Sequence, residues 1–550
     1  MLRLKNNLYA ISLLLLLFSS AEAQVDRAQR EQISITSSFK PSIIKTDKIE
    51  FMPSLPNLDT GRRNYSYAVF RLQFTTPNSS FLLKPLAYTP EKLNQYKESF
   101  TAKVGYGLLS SPVASVAYNR PIGVEKQDRL ILMANHSSFT GKIDDQVYSN
   151  SSMISSYTIN HSSTRITHLD VLYDYDTYRT YGFDRNLYRL AQDDLRRRMS
   201  TIRTRVQQDW VTGGQGQLHF SPSFTFRHSS LWKKANESHF DVRLPATVTI
   251  NPAITASSEI DIRVSSLRNL LKGGGTTGTL AQLPFQIQYA RENIHVKGGV
   301  INAISNRKYV LAPEFSFSYD FGQGGVKFLA AISNRFSLND LYSLFEINPF
   351  ILVPDSLHSF RQTNYAIGFD WLSTKGIHLQ MKLGIAQFRN MALFTNASPI
   401  GKDFEVIAEP LLKAYQLGLI LDYSVSDKLD LHAALEAYSF YSQQQYEFAF
   451  GILPVQLNGA LRWTPLSALR ISLDLTTWNG AMARKTDGAF ARNGGGVDLG
   501  LDVEYQLNKN WSFWVDLNNI ANARYQRWNQ YTCLGFNALT GVRFSLDGNR

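Results

Sequence analysis

Asp430, His432 and Glu436 are the nearest this chain comes to a catalytic set. Two carboxylates and an imidazole can pass a proton between them and drive general acid–base chemistry. Here they alternate along one segment, and alternate residues of a β-strand lie about 7 Å apart. At that spacing they do not hydrogen-bond as a relay, so the trio reads as one polar face. Similar acids recur on later segments: Asp474, then Asp498, Asp502 and Glu504, then Asp516. Asp430, Glu436, Asp474, Asp498, Asp502, Glu504 and Asp516 therefore form a candidate acidic wall. Left unpaired, such a wall favours cations and disfavours anions. Lysines and arginines on facing segments would neutralise it instead.

No other chemistry is nominated. The chain has no GxSxG, no HExxH and no Walker loop. Its single cysteine, Cys533, allows neither an internal disulfide nor a cysteine metal cluster. The expectation is a protein that is not an enzyme, with no catalytic, cofactor-binding or metal residues.

The acids sit on elements with a plain signature. Val497, Leu499, Leu501, Val503 and Tyr505 alternate with Asp498, Gly500, Asp502, Glu504 and Gln506. Period-two alternation makes a strand with one apolar and one polar face. The pattern recurs from about Ser99 to Leu546, for example at Ile260-Ile262-Val264, Leu379-Met381-Leu383, Leu469-Ile471-Leu473 and Trp511-Phe513-Val515. Past the N-terminus no apolar run nears the roughly 20 residues a membrane-spanning helix needs. A chain that crosses lipid with such strands must close them into a barrel, apolar faces outward and polar faces toward the lumen. The fold expected is all-β: a transmembrane antiparallel barrel of about 16 to 22 strands. Breaks such as residues 177–199 and 389–410 read as long loops, and residues 424–428 and 508–510 as short turns. Abundant aromatics (27 Tyr and 33 Phe) suit girdles at the two membrane interfaces.

Arg3 and Lys5 precede an apolar stretch and the small-residue exit Ala21-Glu22-Ala23. That is a secretory signal over residues 1–23, with Gln24 as the mature start. Residues 24–97, broken by Pro41, Pro53, Pro56, Pro77, Pro85 and Pro90, read as a periplasmic or lumenal lead-in. The barrel takes residues 98–550. Formal net charge is +12 and no nucleic-acid motif accompanies it. The expected partners are outer-membrane lipid and lipopolysaccharide. Arg189, Arg196, Arg197, Arg198, Arg203 and Arg205 form either a solvated basic loop or contacts to lipopolysaccharide phosphates at the outer rim.

From residue 98 to 546 the chain resembles the short TonB-dependent-receptor-like barrels of Bacteroidetes-type bacteria. The resemblance rests on residues 99–118 (SFTAKVGYGLLSSPVASVAY), 136–143 (HSSFTGKI), 181–184 (YGFD), Asn348-Pro349, 390–396 (NMALFTN) and the stretch from Asn518 through Tyr525, Trp528, Tyr531 and Gly535. Phe544 near the end resembles the signal by which the outer-membrane assembly machinery takes up its clients. The resemblance implies 22 strands. It also implies a plug domain longer than residues 24–97 can supply. The expected function is transport, as a channel or receptor-like porin for small polar solutes in the outer membrane. The alternative is a non-conducting structural subunit of an outer-membrane complex.

Overall fold

The computed structural model describes residues 98–547, apart from 124–127, 213–216, 306, 323–324, 375, 398 and 486. The signal segment and the lead-in lie outside the described residues. From residue 98 onward the chain forms a closed antiparallel barrel of 22 strands. Each strand pairs with the next in sequence, and the last, Asn537–Asp547, returns to the first, Glu98–Gly107, with Lys103 opposite Arg543. Closure leaves no edge, so every wall strand has a hydrogen-bonding partner on both sides.

One strand is broken. Leu218–Phe220 and Ser223–Leu231 both pair with Arg196–Val211 and with Ala235–Asn251. They are two halves of a single barrel strand parted at Pro222, which has no backbone N–H for the ladder.

The alternation sorts the faces as expected. Phe285 and Ile287 are 48% and 46% exposed, and with Ile260, Ile262, Leu383 and Phe513 they form an apolar outer surface that only lipid can cover. Near the short turns this surface carries Trp210, Trp463, Tyr505 and Trp511, placed for an interfacial girdle. At one end the strands are joined tightly, as between Asn251 and Ile254, Arg291 and Ile294, or Leu466 and Leu469. At the other end the connections include residues 180–195, 340–357, 444–454, 479–495 and 519–536. Short turns face the periplasm and long loops the outside in such barrels.

One expected loop is largely wall. The strands Ile377–Asn396 and Phe404–Ser426 run through most of residues 389–410, leaving only 397–403 as the connection. Asn390, at φ +53°, is skipped in the pairing between Arg389–Leu411 and Met391–Glu409. Pro410 drops out opposite it and the register is unchanged, so this is a break in the ladder; above it Met391, Leu393 and Phe394 are all buried, and the period-two signature disappears from the sequence. Residues 177–199 are mostly connection, as expected: 180–195, with a one-turn helix Gln192–Leu195, join the end of Arg165–Arg179 to the start of Arg196–Val211.

Leu473 and Leu501 are directly opposed on adjacent strands of the lipid face. Arginine at either position should cost about 2–4 kcal/mol if the site lies near the bilayer midplane. Asp474→Asn, on the lumen face, loses a half-exposed ion pair with Arg462, which is worth about 0–1 kcal/mol. Heat-modifiability on gels should show the folded band lost in the arginine variants and kept in Asp474→Asn. Equal loss on both faces would overturn the assignment of faces.

Candidate functional site

The buried core of this barrel is in its outer loops. Tyr178, Met199, Leu231, Leu267, Leu341, Phe345, Phe350, Phe394, Phe404, Trp528 and Tyr531 belong to one contiguous buried cluster. These residues come from strands and loops on well-separated parts of the ring, so the cluster crosses the outer mouth and roofs it. Its centre is aromatic. Phe350 stacks on Tyr531 with ring centroids 3.6 Å apart, Tyr181 meets Tyr531 at 4.9 Å, and Trp528 meets Phe394 at 5.2 Å and Phe404 at 5.5 Å.

Backbone groups tie the loops together. Phe404 and Leu352 donate to the carbonyls of Phe350 and Phe404, at 2.9 and 2.8 Å. Tyr178 donates to the Pro349 carbonyl and Tyr531 to that of Lys402. Gln146 and Tyr181 reach the Thr532 carbonyl at 2.8 and 2.9 Å. Asn519, at φ +45° and fully buried, accepts from Ala523 N–H and donates to the Leu534 carbonyl at 2.8 Å. Arg527 is buried against the Trp528 ring with the Gly451 carbonyl as acceptor, and burial lowers its pKa to about 9. Burial also pushes the Cys533 thiol up to about 12, which keeps it protonated.

A short helix, Leu341–Ile347, forms the roof's beam. Asp340 caps it by accepting from Ser343 N–H at 2.9 Å. Glu237, on the strand Ala235–Asn251, accepts from Leu341 and Tyr342 N–H at 2.7 and 3.1 Å. Two carboxylates at a helix N-terminus satisfy its orphan donors and its dipole. Arg227 holds both, at 2.5 Å from Asp340 and 3.5 Å from Glu237.

Glu346, near the other end of the helix, lies by Asp174 and Asp176. Burial of its carboxyl, then the charges of Asp176 and Asp174, raise its pKa from 4.5 to about 7. The neutral form therefore favours the folded roof. Its contribution is full at low pH and is lost as pH rises through about 7. Hydrogen exchange over the helix, corrected for intrinsic rates, should be more protected at about pH 5 than at about pH 8. The pKa of Glu237, at the other end of the helix, is raised by burial in the same direction, so Glu346→Gln should reduce the difference, and an unchanged dependence in that variant would exclude Glu346 as a source.

Under the roof, the candidate acids line adjoining strands of the lumen wall, and most are accompanied. Asp474 lies 2.9 Å from Arg462. Glu504 lies 3.4 Å from Arg543 and 3.8 Å from Arg470, and Asp516 lies 3.9 Å from Lys103. Asp498 accepts from the Tyr525 hydroxyl at 2.6 Å, Glu436 from Tyr438 at 2.8 Å, and Asp430 from Ser424 at 2.7 Å. Asp502 sits directly opposite Asp516 in the strand register. Three of the seven acids thus have a basic neighbour along the same wall and three accept from a hydroxyl, so the wall is mixed in charge.

His432 joins neither Asp430 nor Glu436; its Nδ1 lies 2.5 Å from Asp422 on the neighbouring strand. Asp422 also meets His378, which reaches Asp370 at 3.2 Å. Sequence reading misses this row because it depends on the register between neighbouring strands. Trp514 is buried in the wall. It lies flat on the wall over Gly105 and Gly541, where a Cβ would stand 2.2 and 2.6 Å from its ring.

The basic run is divided by strand geometry. Arg197 turns inward and is buried against Asp403, Arg203 faces the Tyr342 ring at 5.2 Å, and Arg198 packs on Trp232 outside.

No family model matches the chain, and no curated protein matches it. Solved structures do. The FrpB iron transporter of Neisseria meningitidis shares 10% identity at a TM-score of 0.64, over 82% of each chain. The ferric enterobactin receptor PfeA of Pseudomonas aeruginosa shares 11% at 0.62, again over 82% of each chain. The siderophore receptor PirA of Acinetobacter baumannii shares 9% at 0.62, over 81% of this chain and 80% of that one. At such identities the likeness is one of fold. Among the described residues no helix is long and apolar enough to span a membrane, and the closed apolar wall does so instead. The chain is an outer-membrane β-barrel with the architecture of these receptors.

Proposed function

We propose that the protein moves a small polar solute across the outer membrane through its lumen, with the loop roof as the outer gate. The observation that supports this best is the contrast between lumen and mouth. The wall below is polar and mixed in charge, whereas the closure above it is built on buried hydrophobic clusters. Paired acids leave little reason for strong cation preference, so selectivity should be set by size and polarity. A ferric chelate of the kind the similar receptors are named for would have to displace the roof. On this reading residues 24–97 form a lead-in rather than a full plug, and uptake does not depend on an energised partner. Cells in which that partner is inactivated should take up the solute at the same rate, and a loss of uptake would remove this part of the proposal.

The roof itself favours a second reading. A mouth sealed by stacked aromatics suits a structural subunit that conducts nothing. Replacing residues 340–357 with a short turn separates the two. In liposomes, transport expects swelling with small sugars that is slight for the intact protein and large for the shortened one. A shortened barrel that folds yet stays impermeable supports the structural subunit.

A further inference from the structure

We infer that the outer rim carries a site for the phosphates of a glycolipid of the outer leaflet, built from Arg196, Arg198, Trp232, Lys233, Lys234 and Arg268. The site is independent of the transport reading.

Its centre is one indole shared by two cations. The Arg198 guanidinium lies 4.5 Å and the Lys233 ammonium 4.3 Å from the Trp232 ring centroid. Ring contact holds each cation, and an anion beside the indole would offset the positive charge gathered there. Among the described residues neither has a carboxylate partner. Lys272, on the turn after Arg268, is by contrast already paired with Asp355 at 2.6 Å.

The backbone brings the bases together. Trp232 N–H donates to the Arg198 carbonyl at 3.0 Å, and Leu270 N–H to that of Lys234 at 2.8 Å. These bonds join the start of Arg196–Val211, the turn 232–234 and the turn after Ile254–Asn269. Lys233 occupies φ +59°, which makes that turn tight. Arg268 stands opposite Asn236 in the ladder, on the flank of the same turn.

Position identifies the occupant. Arg196 and Arg198 share the outward face of their strand with Ile202 and Val206, which are exposed to lipid. Arg198 is four residues from Ile202, about 13 Å along the strand. Arg268 likewise continues the face of Ile260 and Ile262. The patch therefore stands directly above the apolar belt on the long-loop side, at headgroup height. Leu270 and Leu271 are 42% and 67% exposed beside it, available to acyl chains. A cluster of guanidinium and ammonium groups at that height fits phosphate monoesters on a lipid headgroup, which accept several charge-assisted hydrogen bonds at once. A soluble anion would gain the charge contacts without the apolar ones.

The test uses the full chain in detergent with diphosphoryl lipid A as the probe, counting bound molecules by native mass spectrometry. Affinity should fall about fivefold for each base removed, and about a hundredfold in Arg196→Ala/Arg198→Ala/Lys233→Ala. Arg484→Ala/Lys485→Ala, which removes two exposed bases from another loop, should bind as the parent does. Monophosphoryl lipid A should bind more weakly, and inorganic phosphate should not displace the lipid. Trp232→Ala should weaken binding even though it removes no charge. Heat-modifiability confirms that each variant is folded. Equal binding by the triple variant and the parent overturns the site. Full displacement by inorganic phosphate overturns the lipid as its occupant.

Discussion

Alanine at both Phe350 and Tyr531 should unlatch the outer roof while leaving the barrel wall intact. The two rings stack at 3.6 Å, and Tyr531 also meets Tyr181 and bonds the Lys402 carbonyl. Truncating a buried aromatic side chain costs about 3–5 kcal/mol, because burial is lost and a cavity remains. The two sites are in contact, so their costs will not simply add. The variant leaves the second buried apolar cluster, around Phe388, Leu412, Tyr438 and Phe450, untouched, and the membrane wall turns its apolar face outward. The loss should therefore appear locally. Limited proteolysis should cut within residues 340–357 and 519–536 far faster than in the parent, with the heat-modifiable band of the barrel unchanged. Conductance in planar bilayers should rise at least about tenfold if the roof is the barrier, since an unroofed barrel of this strand number leaves an aqueous path. Loops that stay protected in the double variant would show that the aromatic stack is not what holds the roof.

Arg227→Met should be the most damaging single change near the roof, at about 3–5 kcal/mol. Arg227 is the cation that Asp340 and Glu237 share, and Asp340 also lies 3.1 Å from His239. Burial opposes the charge on Asp340, but Arg227 and His239 hold its carboxyl well below the usual carboxylate range. A depressed carboxylate stabilises above its unfolded pKa and loses that contribution as pH falls through its folded one. Asp340 and Glu346 thus act in opposite directions with pH. Without Arg227, two buried carboxylates face the helix N-terminus with no strong cation, and the helix loses its anchor to the wall. Hydrogen exchange over Leu341–Ile347 should report the loss. Adding Asp340→Asn to Arg227→Met should restore part of the protection by removing one unpaired charge. A single variant as protected as the parent would show that the backbone caps suffice without the arginine.

Much of this protein is determined by local pattern. Whether Leu473 faces lipid and Asp474 the lumen depends only on the two-residue period of a strand, which any stretch of the wall displays. Barrel class, membrane placement and the sorting of faces come from that period together with the lack of a spanning helix. The pattern ends where its cause ends. Above the membrane the wall is buried by loops as well, and the ladder breaks at Asn390 opposite Pro410, so residues 389–410 read as loop although most of them are strand.

Pairing was beyond the sequence for a related reason. Asp474 with Arg462, Asp516 with Lys103 and His432 with Asp422 meet across strands, and only the register of the closed sheet brings them together. The roof shows the limit most clearly. Tyr181, Asn348, Phe394, Asn519, Trp528 and Tyr531 all lie in the motifs that carry the family resemblance, yet nothing in their spacing places them side by side. They converge because a ring of strands sets their loops around one mouth, where burying aromatic surface against one another is the only way to remove it from water.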